Sequence, residues 1–402
     1  MNLELETALA RILAAVPPRL VETVPLASAH GRVLAETIRS PLDLPGFDNS
    51  AMDGYAVRAE DVRGAKPEAP VRLRVAGRVA AGEVFSGTVT AGSCVRLFTG
   101  SPLPQGADAV VMQEDTRTEP SSAGEVSILD AAKPWENVRL RGGDIRTGST
   151  LVELGEFLTA GKLGLLAATG VTTVQVGRAP TAGLLATGTE LRAPGEPLGP
   201  GQIFESNRVA LAALVNRAGA DACILPLVVD TLDATRSALS TAFEKCDVVI
   251  TTGGVSVGDM DFLRPAFAAE GGELDFWKVA IRPGRPFGFG RWREKLWFGL
   301  PGNPVSALVT FLLLVRPALL RWQGAGEVAL PMCLGVTAEP FHNSGDRRHF
   351  LRIHMDAAGS VRSAGVQASH ALSSVAGANG LLDMAPGAAL AARTSVRVLR
   401  WE

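Results

Sequence analysis

Two hydrophobic periodicities divide this chain. In the opening segment MNLELETALARILAAV, the apolar residues Leu3, Leu5, Leu9, Ile12, Leu13 and Val16 recur at helical spacing, which predicts an amphipathic helix. From about residue 20 to 175 the pattern changes to short alternating runs, VRLRVAGRVA, SCVRLFTG, DAVVMQED and GEVSILDAA, separated by turn residues. These predict a β-rich module. From Thr181 strands and helices alternate. TAGLLAT, CILPLVV, DVVITT, LDFWKVA, PFGFGRW and KLWFGL read as strands; SNRVALAALVNRAGA, TLDATRSALSTAFEK and FLRPAFAAEGG read as helices, the first capped by Ser206 or Asn207, and a further helix follows Asn303. This alternation predicts a doubly wound, mostly parallel α/β sheet. The tail from about 325 returns to short strands, MCLGVTAE, RHFLRIHMD, SVRSAG, GLLDMAP and SVRVLRW, which fit a small β-barrel or sandwich.

Size and charge narrow the functions. A chain of 402 residues exceeds one core and suggests about two to four domains. Its formal net charge of −2, without long runs of one sign, argues against a nucleic-acid or acidic-membrane binder and for a small-molecule partner. Cys94, Cys223, Cys246 and Cys333 are far apart and show no C-x-x-C spacing, so they read as reduced core thiols of a cytoplasmic protein. The acidic N-terminus lacks the positive region of an export signal. ALVTFLLLVRPALL is broken by Arg316 and Pro317 short of the ~20 residues a bilayer span requires, and reads as a buried helix. His30, His342, His349, His354 and His370 form no zinc pattern.

Ligands of open α/β sheets bind beyond the carboxyl ends of the strands, where helix N-termini present free N–H groups. Four strand ends here carry the expected chemistry: GTEL with Glu190, Asp230 after CILPLVV, GGVSVGDMD with Gly253, Gly254 and Asp261, and PGNPVS. The glycines permit close backbone approach to a phosphate. Asp230 and Asp261 accept hydrogen bonds when ionised, so beside a phosphate they call for Mg²⁺ or a substrate donor. Helix capping is the plainer role for both. Strand alternation would put Lys278 on the face opposite Trp277 and Val279. Within DFWKVAIRPGRP, Lys278, Arg282 and Arg285 crowd eight residues and suit a polyanion better than a solvated turn. LDLPGFDNSAMDGYAV, FTGSPLPQGADAVV and NVRLRGGDI are dense in turn residues, and Thr99, Arg139 and Asp144 are their reactive-looking members; polar surface loops remain the alternative.

Taken together, DLPGFDNSAMDGYAVR, FTGSPLPQGADAVVMQE, NVRLRGGDI, ATGTEL, TTGGVSVGDMDF, FWKVAIRPGRPFGFG and GLPGNPVSALVTF resemble the molybdopterin molybdenumtransferases, the MoeA family, to which the catalytic end domain of gephyrin belongs. The resemblance implies insertion of molybdate into adenylated molybdopterin with release of AMP, for molybdenum cofactor biosynthesis. It also implies an elongated homodimer of four-domain subunits: a segmented linker domain (1–47 and 143–177), an inserted β-rich domain (48–142), a MoaB/Mog-like α/β domain (178–324) and a C-terminal β-barrel (325–402).

Carried over by motif, Asp53, Thr99 and Asp144 would face the cleft from the second subunit, and Glu190, Asp230, Asp261 and Lys278 would line its α/β side. Asp230 and Asp261 would hold Mg²⁺. Thr99, Gly253, Gly254, Ser256 and Pro301 would contact molybdopterin or AMP, and Arg282, Arg285, Ser306, Arg352 and Ser369 would hold molybdate. Two positions depart from the commoner pattern. Both turn lysines are arginine, which exchanges a point charge for a planar fork, and Thr189 stands where an acid is frequent. A molybdopterin adenylyltransferase and a non-enzymatic scaffold of related fold are the competing readings.

Overall fold

The computed structural model describes residues 3–120, 123–254 and 262–401. The chain divides into two compact units, Met1–Glu36 with Leu154–Thr159 and Thr173–Glu402, and Thr37–Glu153 with Ala160–Thr172.

In the first unit, the opening helix runs from Leu5 to Ala14 and buries Leu5, Ala8 and Ile12. The central sheet has six strands in the spatial order Asp221–Ile224, Thr181–Ala186, Val248–Thr252, Lys295–Leu300, Pro286–Trp292 and Glu273–Lys278. Its first four strands are parallel neighbours. The Pro286 strand runs antiparallel to both of its neighbours, so the Glu273 strand again points the same way as the first four. Both faces are covered. Helices Asn207–Arg217 and Pro304–Thr310 bury Leu211, Val215 and Val305 on one face; helices Leu232–Lys245 and Leu263–Ala269 bury Leu239, Phe243 and Phe267 on the other.

Several local expectations change. The helix after Asn303 does not stop at Arg316: it continues from Pro304 to Trp322, 19 residues that are mostly apolar and mostly buried within the protein. A π-helical turn at Phe311–Val315 accommodates Pro317, because the wider spacing removes the need for its missing N–H. CILPLVV forms a strand only as far as Ile224. Ser206 does not cap its helix, because its backbone is already helical (φ −119°, ψ −19°). The buried Glu205 carboxylate instead accepts the Arg208 backbone N–H and Nε–H, each at 2.9 Å. Trp277 and Val279 pack into different cores, since bulges between Leu274 and Lys278 break the strand alternation.

The C-terminal strands Met332–Thr337, Arg348–Met355, Ser360–Ser363, Gly380–Met384 and Ser395–Arg400 close into a five-stranded barrel. The short strand Ile281–Arg282 adds to its rim alongside Arg348–His349. All four cysteines are free thiols; Cys94 and Cys246 are buried, Cys223 is half-buried, and Cys333 is exposed instead of lying in a core.

The second unit contains the predicted β-rich module. Its six-stranded sheet has the order Ala109–Met112, Gly54–Val57, Ser93–Leu97, Val71–Val79, Glu125–Ile128 and Thr116–Arg117. Tyr55, Leu73, Cys94 and Val126 lie in its core.

Candidate active site

Strand direction places the site. The parallel strands end together, and beyond their carboxyl ends lies a cleft of about 590 Å³. Thr187, Thr252, Gly253, Gly254, Pro301 and Gly302 are among its lining residues, with Glu190, Ile203, Phe204 and Asn207 around them. Gly253 (φ +84°) is required by position: a Cβ there would stand 2.5 Å from the Thr187 carbonyl oxygen. Asn207 Nδ2 donates to the Gly302 carbonyl at 2.8 Å and ties that loop to the helix Asn207–Arg217. The Thr187 hydroxyl is buried and has no partner among the described residues, so it offers an unused donor and acceptor at the cleft.

The acids are arranged beside this cleft. Glu190 is an exposed wall residue. Asp230 is half-buried on the loop after the edge strand, where its Oδ2 accepts the Thr189 N–H at 3.0 Å and its own N–H donates to Thr189 Oγ1 at 3.3 Å. Thr189, at the position where an acid was noted as frequent, therefore steadies Asp230. Asp230 does not cap the following helix: Thr231 does, accepting the Ala234 N–H. Asp261 and Ser256 lie outside the described residues. Among the described residues no three His, Cys, Asp or Glu side chains group as metal ligands.

A second cavity, of about 420 Å³, adjoins the first and shares Pro286, Pro301, Asn303 and His370 with it. Arg282, Arg285, Ser306 and Ser369, from three separate segments, line it together. The turn carrying the arginines is locked by Gly284 (φ +104°), at which a Cβ would stand 2.3 Å from Thr310 Cγ2. Ser369 is positioned through its carbonyl, which accepts the Val305 N–H at the helix start at 3.2 Å. Arg282 and Arg285 are exposed, and neither pairs with a carboxylate among the described residues. Lys278 sits at the same sheet edge, paired in register with Pro286 but not in either cavity wall.

Arg352 takes a different position from its four expected companions. Fully buried, it donates to the Val366 and Ala368 carbonyls at 3.0 and 3.1 Å and to Ser374 Oγ at 3.3 Å, so it braces the loop that presents Ser369. Its third guanidinium nitrogen has no partner among the described residues. Burial, then the charge of Arg282, brings its pKa down to about 10. Arg347, which the sequence reading missed, lines the basic cavity instead. Its density of arginines, DRRHFLR, was a usable signal, but Arg348 in the same tract is engaged by Asp383 and Glu6. His349 lies buried beside this cluster, its Nε2 unpartnered among the described residues; burial, then Arg282, Arg352 and Arg347, lowers its pKa to about 4. His370 and Asn303 were also missed.

In the second unit, Asp53 is exposed and accepts the Thr99 backbone N–H at 2.8 Å and hydroxyl at 2.7 Å. The N–H bond first, then the hydroxyl, holds its pKa below the ordinary carboxylate value. Asp144 is exposed in a loop whose N–H reaches the Leu44 carbonyl, and Arg139 pairs in register with Asn49.

A mostly parallel α/β sheet with a glycine-floored cleft and an adjoining arginine-rich pocket is the architecture of a protein whose site suits an anionic small molecule. Comparison with known proteins gives the particular group. Residues 3–170 match the MoeA N-terminal region (domain I and II), residues 183–321 a probable molybdopterin binding domain, and residues 335–401 the MoeA C-terminal region (domain IV). The chain is 38% identical to a molybdopterin molybdenumtransferase of Haemophilus influenzae over 94% of this chain and 93% of that one. It is 41% identical to molybdopterin molybdenumtransferase 2 of Mycobacterium tuberculosis over 90% of each. A solved MoeA protein of Pyrococcus horikoshii superposes over the whole of both chains with a TM-score of 0.86 at 30% identity. The chain belongs to the MoeA family of molybdopterin molybdenumtransferases.

Proposed function

We propose that this protein is a transferase of molybdenum cofactor biosynthesis that inserts molybdate into the dithiolene of adenylated molybdopterin and releases AMP. The observation that carries this reading is the joining of two cavities: one built from glycines and a threonine at the ends of parallel strands, the other from Arg282, Arg285, Arg347, Ser306 and Ser369. Phosphates would lie against Gly253 and Gly254, whose backbone permits close approach, with the Thr187 hydroxyl as a further donor. The tetrahedral dianion would occupy the basic cavity, held by guanidinium forks and serine hydroxyls. The dithiolene sulfurs and the oxyanion would thus be fixed side by side, and positioning supplies much of the rate.

Mg²⁺ belongs to the reading: it would be held by Asp230, one of whose carboxylate oxygens is not engaged by Thr189, and by Asp261. When bound, it supplies charge neutralisation at the pyrophosphate. The protein would act in the cytoplasm as a homodimer in which Asp53, Thr99 and Asp144 of the second subunit close the cleft.

An adenylyltransferase would need only the α/β domain. The basic cavity draws Ser369 and Arg347 from the C-terminal region, and the family match extends to both flanking regions, which supports the molybdate reading. Calorimetric titration with molybdate tests it. Arg282→Ala and Arg285→Ala should each weaken binding by about tenfold or more, the scale of one lost charged hydrogen bond (~1.5–3 kcal/mol). Unchanged affinity in both variants would sink the assignment and favour a scaffold.

A further inference from the structure

Cys223 and Cys246 take no part in the cleft, yet the fold brings their thiols together. Cys223 stands in the edge strand Asp221–Ile224, and Cys246 closes the helix Leu232–Lys245 just before the strand Val248–Thr252. Between them runs Thr181–Ala186, whose Gly183 is directly opposite Cys223. A Cβ on Gly183 would lie 2.9 Å from Cys246 Sγ and 3.4 Å from Cys246 Cβ. The missing side chain is therefore what lets Cys246 reach across the middle strand. Both cysteines pack against the same apolar cluster with Leu225, Leu239 and Phe243. Cys223 is half-buried, while Cys246 is 1% exposed.

We propose that Cys223 and Cys246 form a dithiol that hydrogen peroxide converts into an intramolecular disulfide. Cys223, the more accessible thiol, attacks first. Its thiolate takes one peroxide oxygen, the O–O bond breaks, and the departing hydroxide leaves as water with the thiol's proton; Cys223 is now a sulfenic acid. Cys246 then attacks the sulfenic sulfur: the S–S bond forms, the S–O bond breaks, and a second water leaves. Two thiols and one peroxide give one disulfide and two waters. Burial first, and then the neighbouring Cys223, raises the Cys246 pKa to about 12, with Lys295 acting in the opposite sense, so Cys246 is not the thiol that meets peroxide first, and its attack on the sulfenic sulfur rests on its proximity. The bridge would clasp the edge strand to the start of the Val248 strand. These are strands whose far ends lead to Asp230 and Gly253, so the oxidised protein should resist heat better than the reduced one.

The experiment treats folded, full-length protein with hydrogen peroxide, blocks remaining thiols, and maps peptides by mass spectrometry. The expected product is a linked peptide pair containing Cys223 and Cys246, about 2 Da lighter than the sum of its reduced parts. Cys223→Ser and Cys246→Ser should each abolish it, and Gly183→Ala should slow it several-fold. Absence of the linked pair at doses that oxidise the exposed Cys333, or linkage through Cys333 or Cys94 instead, would overturn the proposal. If Gly183→Ala folds poorly, Cys246→Ser with native circular dichroism carries the test.

Discussion

His349 makes a quantitative test of how the basic cavity is built. His349 is 4% exposed and stands among Arg282, Arg347 and Arg352, so protonation would bury a positive charge beside three others. Its folded pKa is about 4, against about 6.5 when unfolded. The sign follows directly: between these values the unfolded chain binds the proton and the folded chain does not, so stability falls as pH falls through this window. At pH 5 the loss relative to pH 7.5 amounts to about 2 kcal/mol, approaching ~3 kcal/mol below pH 4. His349→Gln keeps a polar side chain but removes the titration. Urea unfolding of both proteins at pH 7.5 and pH 5 should show the variant's acid loss smaller by about 2 kcal/mol. Equal acid losses, or an imidazole titrating near 6.5 by NMR, would refute the placement of His349 among the arginines.

Three further substitutions probe single contacts. Gly253→Ala forces a left-handed backbone on a residue with a Cβ and drives that atom toward the Thr187 carbonyl; it should cost at least ~2 kcal/mol and abolish AMP binding in calorimetry. Arg352→Ala leaves the Val366 and Ala368 carbonyls and Ser374 without their donor; a stability loss of ~3 kcal/mol is expected, together with weaker molybdate binding through the slackened Ser369 loop, and Arg352→Lys should restore only part of each. Thr189→Val removes the acceptor of the Asp230 N–H but keeps the N–H that serves its carboxylate, so a loss of only ~1 kcal/mol is expected in thermal unfolding.

Periodicity was a good guide wherever one face of an element had to be buried. The α/β strands from TAGLLAT to KLWFGL form, CILPLVV only as far as Ile224, and so do the five barrel strands, because alternation and turn residues answer to the same burial that packs them. What periodicity could not show was local competition for donors. Ser206 was a reasonable cap by composition, yet Glu205 has the reach to serve Arg208 and takes the position. Pro317 reads as a helix breaker, but a π turn absorbs it within a buried helix.

Site residues divide in the same manner. The RPGR turn and the PGNPVS loop could be placed at a ligand edge because strand direction brings them there. Arg352 and Arg347 could not be told apart: which guanidinium braces a loop and which opens into a cavity depends on the closure of the barrel, a contact between strands distant in sequence. Arg348 shows the same ambiguity, since only folding pairs it with Asp383 and Glu6.

The central claim is that the joined cavities carry out molybdate-dependent release of AMP. The most direct measurement mixes the purified, full-length protein with adenylated molybdopterin and follows AMP with and without molybdate. The account predicts AMP release that depends on molybdate and falls sharply in Arg285→Ala. Accumulation of adenylated molybdopterin from molybdopterin and ATP, or AMP release indifferent to both molybdate and Arg285, would contradict it.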